Sequence, residues 1–168
     1  MKVRLAKKED VERMMELVDA AKEYFREAGI NQWQSGYPNA PQLLGDIERG
    51  ESYVLEDDGI VEGTCMISFS PDPNYEVIEG GKWLNDEPYG VIHRICVNSD
   101  KKGHGLAGFL FDEAERLAIQ KDIHNLRVDT HALNIAMQHC VAKKNYVFCG
   151  VVTVADGGLR NAYQKVLK

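Results

Sequence analysis

The stretch Val91-Ile92-His93-Arg94-Ile95-Cys96-Val97-Asn98-Ser99-Asp100-Lys101-Lys102-Gly103-His104-Gly105-Leu106-Ala107-Gly108 leaves the chain few ways to fold. An apolar run that reads as a buried strand meets a basic, glycine-rich turn, and a helical pattern starts directly after it. Leu106, Leu110, Ala114 and Leu117, with Ala107, Phe111 and Ala118 beside them, keep the spacing of one helix face. A helix is therefore predicted from about Gly105 to Gln120. Gly103, Gly105 and the small Ala107 leave the backbone of the turn bare. Its N–H groups then lie at the positive end of a helix, next to Lys101 and Lys102, and such a place binds a pyrophosphate.

The 168 residues, 44% of them hydrophobic, suit one globular domain with a sizeable core, expected to span 1–168. No apolar run approaches the roughly 18 residues of a membrane span, and the first residues read as strand rather than as an apolar signal region, so no membrane partner is expected. A net charge of −6 argues against a nucleic-acid surface, which needs a clustered basic face. Cys65, Cys96, Cys140 and Cys149 form no C-x-x-C and sit mostly in apolar runs. Buried reduced thiols in a cytoplasmic protein are expected in preference to disulfides, and no paired ligand spacing points to a metal. A homodimer is the default assembly.

Val3 and Leu5 alternate with charges and predict a short first strand. Asp10 is placed to cap a helix whose Val11, Met14, Met15, Val18, Ala21 and Phe25 form one apolar stripe, ended by Gly29. The loop from Asn31 to Pro38 carries Trp33 and Tyr37 among turn residues. A short helix follows around Pro41 to Arg49, then strands near Ser52 to Glu56 and Ile60 to Phe69, joined by Asp57-Asp58-Gly59. Residues Ser70 to Pro88 read as a long excursion with the length of a lid. Beyond the central helix come a strand at Leu126 to Asp129, a helix at Asn134 to Lys143, a strand at Tyr146 to Val154 and a closing strand at Asn161 to Leu167.

Gly103-x-Gly105-x-x-Gly108 is also a literal dinucleotide fingerprint, with Asp129 ending a strand about twenty residues later. A dinucleotide-binding oxidoreductase is thus a remote alternative. Against it, Asn98 to Lys102 separate the strand from the first glycine, and too few strands follow for a doubly wound sheet. His93 and Arg94 also sit badly in a strand buried on both faces.

Lys102-Gly103-His104-Gly105-Leu106-Ala107 resembles the acetyl-CoA loop of the GNAT superfamily of N-acetyltransferases, Arg/Gln-x-x-Gly-x-Gly/Ala, with Lys102 where Arg or Gln is usual. Ile95-Cys96-Val97 resembles the family's L-x-V strand end, and Asn134 the asparagine that opens its fourth helix. Asn145-Tyr146 falls where Gly-Phe closes that helix. The order of elements agrees over nearly the whole chain. The resemblance implies an α/β (α+β) domain whose mixed, mostly antiparallel sheet splays between strands 4 and 5, with about four flanking helices. It also implies transfer of an acetyl group from acetyl-CoA to a primary amine by direct attack in a ternary complex. The acceptor is then a small amine, an amino-acid derivative or a protein N-terminus.

From the same resemblance come the expected roles. The main chain of Ile95, Cys96 and Val97 pairs with the pantetheine arm, Lys102 to Ala107 hold the pyrophosphate, and Asn134 hydrogen-bonds the arm. Lys143 is either near the adenosine end or simply solvated. His93, read as in register with Ile95 and Val97, is either the base or relay that deprotonates the amine or a histidine satisfied by backbone. The Val97 N–H meets the developing oxyanion. Trp33 and Tyr37 either flank the acceptor pocket or anchor their loop in the core. Asp129 either holds the cationic amine or, with Thr130, caps the next helix. Where the family often has a thiolate-protonating tyrosine this chain has Val141, so a non-catalytic acyl-CoA-binding module is the main rival. An acyl-cysteine route through Cys96 or Cys140 lacks a base and orienter.

Overall fold

Apolar stripes and alternation resolve into β1 (Lys2–Leu5), α1 (Val11–Glu27), α2 (Ala40–Glu48), β2 (Ser52–Asp57) and β3 (Ile60–Ser68). They are followed by β4 (Gly90–Val97), α3 (Leu106–Gln120), β5 (Asn125–Thr130), α4 (Ile135–Lys143), β6 (Val147–Thr153) and β7 (Leu159–Val166). This computed structural model describes residues 1–101 and 103–168, so Lys102, expected at the phosphate turn, lies outside the described residues. Every one of these helices stops through the same device. Just past its C-cap stands a left-handed residue, Gly29, Gly50, Asp122 or Asn145, with φ between 58° and 70°. The reversal turns the next amide back onto the helix, as in Ile30 N–H to Phe25 O at 2.8 Å and Tyr146 N–H to Val141 O at 2.9 Å.

The chain sorts into two compact units, one of Met1–Ile67 with His93–Glu113 and one of Ser68–Ile92 with Ala114–Lys168. In the first, β1 pairs antiparallel with β2 and β2 with β3, and the C-terminal half of β4 follows β3. Asp58 and Gly59, both left-handed, make the tight turn between β2 and β3 that Asp-Gly predicts. Met14, Leu17 and Val18 of α1, Leu43 of α2, Val54, Val61 and Cys96 share one core cluster. Asp10 does not cap α1 as expected. Its carboxylate accepts instead from the Lys7 N–H at 2.7 Å and from Arg4 at 2.8 and 3.0 Å, a partnership with β1 that outcompetes the helix amides.

In the second unit β4 begins parallel to β5, and the order continues β5-β7-β6 through antiparallel ladders. This mixed, mostly antiparallel sheet excludes the doubly wound parallel alternative. The parallel pairing covers Gly90↔Leu126 and Val91↔Arg127. Gly90 is needed there, because a Cβ would stand 2.6 Å from Phe69 Cε1 and 2.8 Å from Leu126 Cδ2. The expected closing strand, β7, lies between β5 and β6 rather than at the sheet edge.

The excursion after β3 is pinned, unlike a free lid. Tyr75 is buried and its hydroxyl donates to Asp129 Oδ2 at 2.5 Å, while Trp83 Nε1 donates to Tyr75 O at 2.9 Å. The Arg127 guanidinium is 4.1 Å from the Trp83 ring centre and 4.0 Å from that of Tyr89, so two aromatic faces offset the burial of its charge. Residue Glu79 bridges to Val151 through paired backbone bonds of 2.9 and 2.8 Å.

Candidate active site

The glycine turn follows β4 through Asn98 and a 3-10 turn at Ser99–Lys101. Gly103 (φ 82°) and Gly105 (φ 71°) are exposed, and a Cβ on either would meet nothing within 4 Å. The His104 N–H turns to Lys101 O at 3.3 Å and the Gly108 N–H to Gly105 O at 3.1 Å. Among the described residues the amides of Gly103, Gly105, Leu106 and Ala107 have no backbone carbonyl partner. They stand at the first turn of α3, which leaves a concave, positively polarised nest open to an anion.

Glu62 of β3 fastens the base of this turn. Its carboxylate accepts from Asn98 Nδ2 at 2.7 Å and Lys101 Nζ at 3.1 Å, while Asn98 N–H reaches Glu62 O at 2.8 Å. Burial alone would raise the Glu62 pKa, but the bonds from Asn98 and Lys101 and the charges of Lys101 and Arg13 outweigh it and hold the carboxyl below its ordinary value. A depressed folded-state pKa means a contribution that is complete above the unfolded value of about 4.3 and lost as pH falls through the folded one. The urea midpoint is therefore expected to be flat from about pH 5 to 7 and to fall at more acid pH, and Glu62→Gln is expected to flatten part of that decline. An identical acid decline in the variant would remove Glu62 from this role.

On β4 the backbone at Arg94 is left-handed, φ 53°. This interrupts the pleat between His93 and Ile95, so the simple period-two register expected to join His93 with Ile95 and Val97 does not run through this strand. His93, Ile95 and Val97 are half-buried. Cys96 packs into the core cluster of the first unit, where burial pushes its thiol up to about 12. Burial also raises Cys140, against the opposing charges of Lys144 and Lys143. Neither thiol is poised as a nucleophile.

The left-handed turn sends Arg94 to α2. Its Nε and Nη2 grip both oxygens of the buried Asp46 at 2.8 and 2.6 Å, and its Nη1 donates to the Tyr37 hydroxyl oxygen at 2.5 Å. Arg49 adds a third donor to Asp46 at 2.5 Å. Burial would lower the Arg94 pKa, but the bonds and charge of Asp46 and the neighbouring Tyr37 carry it above its ordinary value. Arg94, Asp46 and Arg49 line a cleft of ≈ 410 Å³ with Pro41, Gln42 and Gly45. Trp33 sets its ring edge-on to Phe25, 5.7 Å between centres, and packs against the core cluster, which matches the loop-anchoring alternative.

In the second unit Asn134 is buried and its carboxamide oxygen caps α4 by accepting the Met137 N–H at 3.2 Å. The alternative that Asp129 and Thr130 cap this helix thus fails; Asp129 holds Tyr75 instead. Val141 is fully buried and has no proton to give. His131 accepts the Leu133 N–H on Nδ1 at 3.0 Å, and burial, then the charge of Arg160, lower its pKa. Glu62, Asp46 and Tyr75 were not singled out by sequence reasoning. Arg94 gave the one usable signal, a cation inside an apolar strand.

Comparison with known proteins agrees with this geometry. The model of the acetyltransferase (GNAT) family matches residues 15–146. A GNAT-family acetyltransferase from Streptococcus agalactiae is 32% identical, with 99% of this chain and 95% of that one covered and a TM-score of 0.90. Another from Listeria monocytogenes is 24% identical over 98% and 94%, TM-score 0.74. The yncA protein of Salmonella typhimurium, solved with its cofactor acetyl-CoA, shares the fold at 17% identity over 100% and 94%, TM-score 0.72. No curated protein matches. A family match over most of the chain, a relative above 30% identity along its whole length and an open amide nest at a helix start converge, and the chain belongs to the GNAT family of acetyltransferases.

Proposed function

We propose that residues 1–168 form a single N-acetyltransferase domain that moves an acetyl group from acetyl-CoA to a primary amine by direct attack in a ternary complex. The observation that carries this is the open nest at Gly103, Gly105, Leu106 and Ala107, whose bare amides fit a pyrophosphate. Solved neighbours support it: yncA is described with acetyl-CoA, and the PaiA N-acetyltransferase of Thermoplasma acidophilum with coenzyme A. When bound, acetyl-CoA supplies an activated acyl thioester.

The chain's own residues do the rest. The nest, with His104, holds the diphosphate; the main chain of Ile95, Cys96 and Val97 and the amide of Asn134 hold the arm. His93 takes the proton that an alkyl ammonium, with a pKa near 10, sheds only with help. The Val97 N–H steadies charge on the carbonyl oxygen. Tyr37 and Asp129 face the amine, with Trp33 shaping the loop, and the acceptor is a small amine, an amino-acid derivative or a protein N-terminus. The Brucella melitensis neighbour named as a ribosomal-protein-alanine N-acetyltransferase supports the last of these. Four free cysteines fit a reducing compartment, and the cytoplasm is the proposed location. No helix among the described residues is long and apolar enough to cross a membrane.

The buried Val141 favours one second reading, a module that binds acyl-CoA without turnover. Incubating the protein with acetyl-CoA, a thiol-reactive dye and a panel of amines separates the two. Turnover with at least one amine is expected, and His93→Ala is expected to lower kcat by about 10²–10⁴-fold with acetyl-CoA affinity unchanged within threefold. Tight cofactor binding with no thiol release across the panel supports the module instead.

A further inference from the structure

Resting on the acetyltransferase reading, in which Asp129 faces the amine, we propose that Arg160 and His131 hold a carboxylate of the same acceptor. Of the three acceptor classes this selects the amino-acid derivative. Strands β5 and β7 pair as far as Thr130↔Asn161, with Arg127 opposite Gln164 and Asp129 opposite Ala162. Alternation then sets Arg127 and Asp129 of β5 and Arg160, Ala162 and Gln164 of β7 on one face. The excursion after β3 marks that face, since Asn85 bonds to Arg127 and Gln164 and Tyr75 bonds to Asp129. His131 and Arg160 come next, at the open end of the ladder. There the charge of Arg160 acts on the His131 ring, which burial and that charge together keep neutral.

Arg160 is a buried cation in want of an anion. It is 6% exposed, and among the described residues its one bond runs from Nη1 to the Leu159 carbonyl at 2.9 Å, with no carboxylate paired to it. A guanidinium carries five N–H donors, and burying it unpaired is costly. The bare Gly158 makes the room it occupies, because a Cβ there would stand 2.8 Å from Arg160 Nη1 and 2.9 Å from Asp156 Oδ1. His131 adds a second donor: its Nδ1 accepts the Leu133 N–H at 3.0 Å, which leaves the ring proton on Nε2. The other charges nearby have their own work. Asp156 accepts the Gly158 N–H at 2.8 Å, Asp129 accepts the Tyr75 hydroxyl, and Arg127 is covered by Trp83 and Tyr89. One cation and a neutral donor between two carboxylates suit a singly charged carboxylate and repel a phosphate. Asp129 and Arg160 are diagonal neighbours, about 7–8 Å apart along such ladders, a gap of the order that an α-amino acid spans with a hydrogen bond at each end.

Arg160→Met keeps the length of the stem and removes the charge, and an apolar chain in that buried place is expected to fold. The acceptors compared are α-amino acids, their carboxamides and their decarboxylated amines. Wild type is expected to favour the acids by about 30-fold in kcat/KM, and Arg160→Met to shrink the ratio of acid to carboxamide to about threefold or less. Arg160→Lys, which keeps the charge without the fork, is expected to recover part of the preference. Calorimetric titration of the acids with coenzyme A present reads binding without turnover, and Arg160→Met is expected to weaken it by about tenfold or more. Acids that do not bind, carboxamides taken as readily as acids by the wild type, or a preference that survives Arg160→Met overturn the carboxylate site. Acids that bind through Arg160 and are never acetylated leave the site standing and overturn instead the enzymatic reading beneath it.

Discussion

Replacing Asp46 with alanine is expected to cost about 3–5 kcal/mol of folding stability, lowering the melting temperature by roughly 10 °C or more. The reason is the company that this carboxylate keeps. It is almost wholly buried and answers Arg94 at two contacts and Arg49 at a third. Arg94 is itself largely buried, with its side chain 12% exposed, so losing Asp46 strands a guanidinium that water barely reaches. The loss is one of mismatch rather than of a strong bond. Asp46→Leu combined with Arg94→Met, which removes both charges, is therefore expected to regain much of the stability. Thermal melts and urea titrations of the single and double variants measure this. A single variant within about 1 kcal/mol of wild type would show that Arg94 finds solvent or another partner.

The second large effect falls on binding. Gly105→Val is expected to weaken acetyl-CoA by about 100-fold in calorimetry while costing no more than about 2 kcal/mol of stability. A β-branched residue at φ 71° is strained, and relieving that strain turns the amides of the nest out of line. Gly29→Val controls for strain alone. It sits at φ 70° beyond α1 with equally open space, so it is expected to lose similar stability and no affinity. Equal affinity in both variants would remove the nest from cofactor binding.

What the sequence disclosed and what it hid divide along distance in the chain. The turn, α3 and the helix ends were legible because each is a short-range pattern: a stripe, a bare glycine, a left-handed C-cap. Asn134 and Asn145, placed by the resemblance to the family, stand at the two ends of α4 where that resemblance puts them. Arg94 and Asp46 are 48 positions apart, and Asp129 and Tyr75 are 54 apart, so no local pattern reports their pairing. The left-handed backbone at Arg94 was equally hidden, since a non-glycine residue adopts it only when its partners hold it there. Asp10 was misread because Arg4 and Lys7 compete for its carboxylate with the helix it precedes. The glycine turn was thus visible early, and the Tyr37, Arg94 and Asp46 chain was not.

The placement of β7 between β5 and β6 has a bearing on how the second unit assembles. Strand β6 precedes β7 along the chain yet reaches β5 only through it, so β6 cannot join until its successor has docked. During folding the β5 edge stays bare for that interval, which is when such edges stick to other molecules. Amide protons of β6 and β7 will accordingly gain protection from hydrogen exchange together, after those of the β1–β2 and β2–β3 ladders.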